Sequence, residues 1–364
     1  MKVVIRVDAS LQIGTGHVMR CMTLAKALTA RGDEVSFICR AHTGHLIDWI
    51  QQKGFKVHGL PAVSDRLPPK EGALAHYEWL GAPPLQDAQA CRKVLEGIQP
   101  DWLIVDHYAI DEQWESALQD TYHHLMVLDD LADRVHVCDL LLDQTYGRSS
   151  DVYKGWVPNG ARLLLGTRYA LLRSEFLHWR ERSLARRQSP VFQKILITLG
   201  GVDRHHVTGQ LLNALANIVL PAELEMTVIM GAKAPHLNSV QVQAQTMSPK
   251  TCVKEGVENM AELMTESDLV ISAAGSTAWE VACLGVPLVL LKLAENQTDI
   301  MKALLAVEAV WAWDVSQLEQ EVQVLEKIPP PLLKKRSEAL SKCSDGQGVS
   351  RVLHEMNQIS RVHG

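Results

Sequence analysis

The amino-acid sequence predicts an α/β protein made of two doubly wound, Rossmann-like parallel-sheet domains, and three observations carry that expectation. Short β-branched or leucine-rich runs alternate with longer helical patterns along the chain, as parallel strands joined by crossover helices require. The length of 364 residues suits two domains with substantial cores. A polar, arginine-rich stretch from Trp179 to Pro190 then separates one alternating series from a second that starts afresh at Lys194. The expected domains are residues 1–180 and 188–364.

In the first series, strands are expected at Val3 to Val7, Val35 to Cys39, Lys56 to Leu60, Trp102 to Asp106, Leu125 to Leu128, Leu140 to Leu142 and Arg162 to Leu165. The first helix, Val18 to Thr29, should end near Arg31-Gly32-Asp33, a basic residue followed by a C-terminal glycine. The arginines between Trp179 and Pro190 read as a solvated helix face. Strands of the second series are expected at Lys194 to Leu199, Glu225 to Met230, Thr251 to Lys254, Leu269 to Ser272, Leu288 to Leu291 and Ala309 to Trp313. The last helix, Ser350 to Ser360, has no strand after it and is free to pack back on the first domain. Such sheets bind ligands beyond the carboxyl ends of their strands, so a cleft between the two domains is the expected site.

Composition removes several function classes. The formal net charge is −6 and the 21% of charged residues are mixed in sign, with no basic stripe for nucleic acid. The seven cysteines are scattered, odd in number and without a C-x-x-C pair, so they read as reduced core thiols of a cytosolic protein. Arg6 and Asp8 interrupt the apolar core that a signal peptide would need, and no apolar run approaches the length of a membrane span. The expectation is a soluble, cytoplasmic protein with no membrane partner, and nothing in the sequence sets an oligomeric state.

The chemistry concentrates in loops that follow strands. Ile13-Gly14-Thr15-Gly16-His17 lies between the first strand and the first helix, placing an imidazole and two glycines at a helix N-terminus that favours a phosphate or diphosphate. The same pattern also fits a simple glycine turn with an exposed histidine. Asp8 and Ser10, Asp106-His107-Tyr108, Asp129-Asp130 and Asp143-Gln144 put carboxylates at four strand ends, where they can orient a base or bind sugar hydroxyls, or merely cap helices. In the second half, Gly200-Gly201 and Gly275-Ser276-Thr277 each stand between a strand and a helix and can offer backbone N–H groups to a phosphate. Glu280 lies one turn into its helix, either within reach of ribose hydroxyls or simply exposed. Asn296-Gln297 supplies uncharged amides suited to sugar or acetamido groups.

Familiar alternatives fail on spacing. Gly14 comes seven residues after Val7, Met19 occupies the third-glycine position and Arg40 stands where NAD sites carry an acid, so a dinucleotide fingerprint is absent. There is no P-loop, and Gly275-Ser276-Thr277-Ala278 does not form G-x-S-x-G. His123-His124 and His205-His206 lack the i, i+4 spacing of helical metal ligands and read as surface histidines, so neither a metal nor a cofactor is implied.

Taken together, Arg6-Val7-Asp8-Ala9-Ser10 with Gly14 to Cys21, Val105-Asp106-His107-Tyr108, Leu128 to Arg134, Tyr169-Ala170-Leu171-Leu172-Arg173 and Asn296-Gln297 resemble the UDP-2,4-diacetamido-2,4,6-trideoxy-β-L-altropyranose hydrolases of pseudaminic acid biosynthesis. The resemblance covers essentially the whole chain; Gln144-Thr145 departs mildly from the family's pattern. It implies a MurG-like GT-B architecture and metal-independent release of UDP from the anomeric carbon of a UDP-sugar, within a pathway that feeds flagellin glycosylation. It further implies that His17 is the general base for water, that the Gly14 to Gly16 turn lies by the diphosphate, and that Gly275, Ser276, Thr277 and Glu280 hold UDP. Arg173 should meet the substrate, and Gly256 to Ala261, including Asn259, resembles a uracil-side loop. Asp8, Arg20, Asp106, Tyr108, Tyr169, Gly200, Gly201, Asn296 and Gln297 complete the expected substrate contacts. A MurG-like glycosyltransferase and a non-catalytic nucleotide-sugar binder remain the competing readings.

Overall fold

In the computed structural model, residues 1–62, 72–232, 234–293 and 297–362 are described. Asn296, expected to contact substrate, lies outside them. Among the described residues, strands form two sheets in which every pairing is parallel.

The first sheet contains β1 (Lys2–Val7), β2 (Glu34–Arg40), β3 (Lys56–Leu60), β4 (Trp102–Asp106), β5 (His124–Leu128), β6 (Leu140–Asp143) and β7 (Arg162–Leu165), in the order β3-β2-β1-β4-β5-β6-β7. Successive side chains of a strand point to opposite faces, and both faces are covered here. Val3, Ile5 and Val7 enter a core with α1 (Gly16–Ala30), whose Val18, Cys21, Met22, Ala25 and Leu28 recur at helical spacing. Val4, Leu103, Val105, Leu125 and Val127 enter the opposite core with Ala88, Cys91 and Leu95 of helix Pro84–Ile98 and with Trp114.

The second sheet contains β8 (Lys194–Thr198), β9 (Glu225–Met230), β10 (Lys250–Glu255), β11 (Leu269–Ala273), β12 (Leu288–Leu291) and β13 (Val310–Trp313), ordered β10-β9-β8-β11-β12-β13. In each sheet the chain winds outward from one strand and then reverses, so each has a switch point: β1 beside β4, and β8 beside β11.

The chain divides into two compact units, 1–171 with 347–364, and 172–346. The boundary therefore falls earlier than residues 180–188, and the arginines there are not a uniformly solvated face. Arg180 donates to the carbonyls of Ser341 and Ser344 at 2.9 Å, and Ser183 to that of Leu284 at 2.7 Å. Arg187 is buried and donates to the carbonyls of Thr265 and Ser267 at 2.9 and 2.6 Å; burial, aided by Arg186, pulls its pKa down to about 10. Helix Ser174–Arg186 is thereby tied to the second unit.

The final helix, Gly348–Val362, belongs to the first unit. It starts so close to Ala170 that a Cβ on Gly348 would lie 2.2 Å from the Ala170 carbonyl oxygen, an approach only glycine permits. Val352 and Met356 join the core shared with α1, and Trp102 donates its indole N–H to Ser360 at 2.9 Å.

Two smaller expectations are corrected. Cys252, on edge strand β10, is exposed while the other cysteines are buried, and all seven are free thiols. His124 is buried at the start of β5 with its ring 4.9 Å from Trp102, because the N-terminal end of that strand is covered. No helix among the described residues is long and apolar enough to cross a membrane.

Candidate active site

The switch point of the first sheet brings together residues far apart in sequence. From β1 the chain enters a tight turn in which Ser10 Oγ accepts from the N–H groups of Gln12 and Ile13, and Gly14 N–H returns to the Ser10 carbonyl at 2.9 Å. Gly14 has φ = +79°, the left-handed region that favours glycine. α1 follows with Thr15 at its N-cap, no side-chain cap and no acid in its first turn. Its leading N–H groups and the positive end of its dipole are left to attract an anion. A Cβ on Gly16 would meet nothing within 4 Å, so the surrounding protein does not itself demand glycine there.

One residue into α1, His17 Nδ1 lies 2.6 Å from Asp106 Oδ1, at the carboxyl end of β4. Arg20, one turn later, grips Asp106 with Nε and Nη2, each at 2.6 Å, and reaches Asp130 with Nη1 at 3.0 Å. Cys21 Sγ adds a contact to Asp106 at 3.3 Å. The Asp106 side chain is fully buried; burial alone would raise its pKa, but Arg20 and His17 hold it well below the usual carboxylate range. The Tyr108 hydroxyl donates to Asp130.

Aromatic rings surround the imidazole. Tyr108 meets His17 edge-on with centroids 4.7 Å apart, and Trp79, in the 3₁₀ turn Tyr77–Leu80, stacks on Tyr108 at 5.6 Å. His76 lies 4.3 Å from Trp79 and 5.2 Å from Tyr108. Sequence reasoning missed His76 and Trp79, which sit in a segment with neither helical nor strand periodicity; the aromatic density of His76-Tyr77-Glu78-Trp79 was the available signal.

Four expected substrate contacts have side chains engaged within the first unit. Asp8 has no exposed side-chain surface: Oδ1 accepts from Arg6 Nη1 and the Arg40 N–H, both at 2.6 Å, while Oδ2 faces His107 and His42 at 3.3 and 3.5 Å. Asp106 likewise presents no surface and acts on His17 and Arg20 instead. Arg20 spends all three guanidinium nitrogens on Asp106 and Asp130. Tyr169 lies elsewhere in the first unit, under the Arg168 guanidinium and beside Arg351 and His354. Asp129 and Asp143 cap loop N–H groups, of Leu131 and Ala132 and of Thr145 respectively. Gln144 Oε1 accepts from Leu171 N–H at 2.6 Å.

In the second unit, Gly200-Gly201 and Gly275-Ser276-Thr277 follow the adjacent switch-point strands β8 and β11. Their helices differ. Helix Val207–Ala216 has its first N–H groups taken by Asp203, which accepts from Val207 and Thr208 at 2.8 and 2.9 Å. Helix Thr277–Leu284 has no side-chain cap, and a Cβ on Gly275 would meet nothing within 4 Å. Glu280, in its first turn, receives Arg173 Nη2 at 3.3 Å, and Arg173 also pairs with Glu175 at 2.7 Å. Burial raises the Glu280 pKa to about 7 despite Arg173. Two expected contacts 107 residues apart are thus joined. Asn259 is not: it follows edge strand β10, separated from β8 by β9, and donates to Glu262 at 2.7 Å. Gln297 accepts from Leu293 N–H at 2.8 Å at the start of helix Thr298–Ala306.

Residues 195–355 match the glycosyltransferase family 28 C-terminal domain. The chain is 29% identical to the UDP-2,4-diacetamido-2,4,6-trideoxy-beta-L-altropyranose hydrolase of Campylobacter jejuni over 78% of this chain and 89% of that protein. It is 26% identical to the uncharacterized protein MJ1062 of Methanocaldococcus jannaschii over 82% of this chain, but spans only 57% of that relative's length. In three dimensions it is similar to Acinetobacter baumannii MurG, with a TM-score of 0.67, 17% identity and 98% and 99% of the two chains covered. The fold is that of the GT-B glycosyltransferases, and the chain resembles the UDP-diacetamido-trideoxy-altropyranose hydrolases.

Proposed function

We propose that this protein hydrolyses a UDP-linked 2,4-diacetamido-2,4,6-trideoxy hexose of altro configuration at its anomeric carbon, releasing UDP and the free sugar, with His17 as general base. The observation that carries this reading is the state of the imidazole. Its Nδ1 is held by a buried carboxylate, its Nε2 has no partner among the described residues, and it sits at the uncapped start of α1. A neutral imidazole so oriented can take a proton from water near neutral pH. The water oxygen bonds to C1 as the bond from C1 to the diphosphate oxygen breaks, the electron pair leaves with UDP, and the water proton goes to Nε2. The uncapped helix N-termini suit the diphosphate, each dipole contributing about 0.3–1 kcal/mol when exposed and up to about 2 kcal/mol when partly buried. In the second unit, Gly275 to Thr277 hold the diphosphate, and Glu280 with Arg173 meets the remainder of the UDP-sugar.

The test is incubation with a panel of UDP-sugars and no acceptor, following UDP release and the sugar product by NMR. The diacetamido substrate should turn over in excess EDTA, and His17→Asn should lower kcat roughly 10²- to 10⁴-fold with UDP affinity little changed. Turnover by His17→Asn within a few-fold of the parent removes His17 from this role. The glycosyltransferase family 28 match favours a second reading, transfer of the sugar to an acceptor hydroxyl deprotonated by the same imidazole. UDP release that begins only when an acceptor is added would select it.

A further inference from the structure

The reading of His17 as a base leaves a difficulty that the geometry around it resolves. A buried, ionised carboxylate beside a histidine ordinarily favours imidazolium, which is no base. Here the carboxylate is not alone, and the contacts fix both where the ring proton sits and what offsets the carboxylate.

At 2.6 Å, Nδ1 and Asp106 Oδ1 must share a proton, because two lone pairs at that distance would repel. Asp106 is held ionised, so the proton belongs to Nδ1 and Nε2 is the ring's open nitrogen. Arg20 binds both oxygens of that carboxylate, and its Nη2 also stands 3.2 Å from Nδ1. A cation so close to Nδ1–H opposes a second positive charge on the ring, while two of its nitrogens draw on the same carboxylate charge that would favour one. The other groups around the ring are Tyr108 edge-on after β4, Trp79 and His76 from the segment before helix Pro84–Ile98, and Asp130 after β5, bridged by Arg20. Two carboxylates and one guanidinium thus govern the imidazole, and without the guanidinium both carboxylates would act on it unopposed.

We infer that Arg20 is a positioning residue for His17: it anchors Asp106 and offsets its charge, so that the carboxylate fixes the ring's tautomer without also holding the ring as imidazolium. The inference deepens the proposed function and rests on it only for the use to which Nε2 is put. Arg20, expected to contact substrate, instead acts through Asp106.

The test uses the full chain with ¹⁵N-labelled histidine, reading His17 by long-range ¹H–¹⁵N correlation and assigning it by its loss in His17→Asn. The unsubstituted protein should show the neutral Nδ1–H tautomer. In Arg20→Met the His17 titration midpoint should rise, the direction in which a carboxylate relieved of its guanidinium acts. Arg20→Gln, which removes the charge but keeps a hydrogen-bond donor, should move it in the same direction and serves if Arg20→Met does not fold. With substrate, the acid limb of the kcat profile should move up by the same amount, leaving KM nearly constant. A neutral Nε2–H tautomer in the unsubstituted protein, or an unmoved midpoint in a folded Arg20 variant, overturns the inference. The spectroscopic readings need no substrate. The expected tautomer and shift in a protein that releases no UDP would remove the hydrolase reading alone, whereas hydrolysis with an unmoved midpoint would remove the Arg20 inference alone.

Discussion

Asp8 and Asp106 stand at the carboxyl ends of neighbouring strands, with Asp8 one residue beyond Val7, whose register partner is Asp106. Both side chains are fully buried, and arginine holds each ionised, Arg6 for Asp8 and Arg20 for Asp106. Their surroundings then diverge. Asp8 belongs to a closed set: Arg6 continues to Asp87, and Asp87 also takes Arg40 and the Trp114 indole N–H at 2.9 Å, all of them buried. The contacts of Asp106 lead outward to Arg20 and His17, each 11% exposed, and to Asp130, 26% exposed. One network ties strands to each other, and the other ends on a partly exposed imidazole and on Asp130. His42 beside Asp8 is about as exposed as His17, so what separates the two networks is where they end, on buried Asp87 and Trp114 or on Asp130.

The sharpest way to break this comparison is to delete each carboxylate and measure stability. Asp8→Ala leaves Arg6 short of a partner in a site with no water access and should cost about 3–5 kcal/mol, the scale for breaking a buried ion pair. Asp106→Ala leaves Arg20 paired with Asp130 near the surface and should cost about half as much or less. Denaturant unfolding of the two variants checks this, and equal costs would erase the distinction between the two networks.

A third carboxyl tests the same idea with the opposite sign. Glu280 titrates at about 7 in the fold, above its ordinary value of 4.5, because burial outweighs Arg173. A raised acid pKa means that the folded state holds the proton more tightly, so stability present below 4.5 is lost as pH rises through 7. Glu280→Gln removes that loss. Relative to the parent it should gain about 1–3 kcal/mol on going from about pH 5 to about pH 8, by unfolding at both values. A stability gap that does not change with pH would show that Glu280 does not titrate in that range.

Much of the fold was legible because hydrophobic periodicity is a local signal. β3, β4, β7, β9 and β12 begin and end where the apolar runs do. The unit boundary was not, since Arg180 and Arg187 look like surface residues until the distant carbonyls of Ser341, Ser344, Thr265 and Ser267 are in place. The glycine turn before His17 was also legible. Its partnership with Asp106 spans 89 residues and depends on β4 pairing with β1, which no local pattern encodes. Asp8 was misplaced for the same reason: a strand-end aspartate reads alike whether His42 and His107 close over it or leave it open.

The smallest expected effect concerns the two glycine loops at the switch point of the second sheet, Gly200-Gly201 and Gly275 to Thr277. Both precede helices, but only the first has a side-chain cap: the Asp203 carboxylate takes the Val207 and Thr208 N–H groups and faces the positive end of the dipole. A phosphate brought to that helix would meet a buried negative charge, whereas the Thr277 helix has no side-chain cap, its Ala278 and Trp279 N–H groups turning back to the Gly275 and Ser276 carbonyls. Asp203→Ala should therefore cost the ordinary value of a lost cap, about 0.5–2 kcal/mol. Ser276→Ala should cost a few tenths at most, because Ser276 makes no cap hydrogen bond. Adding UDP should raise the thermal midpoint of Asp203→Ala by as much as it raises that of the parent, if the diphosphate sits at the Thr277 helix and not at Val207. A ligand-induced rise that grows when Asp203 is removed would mean that the carboxylate had been competing with UDP for the Val207 helix, and the two loops would have to exchange roles.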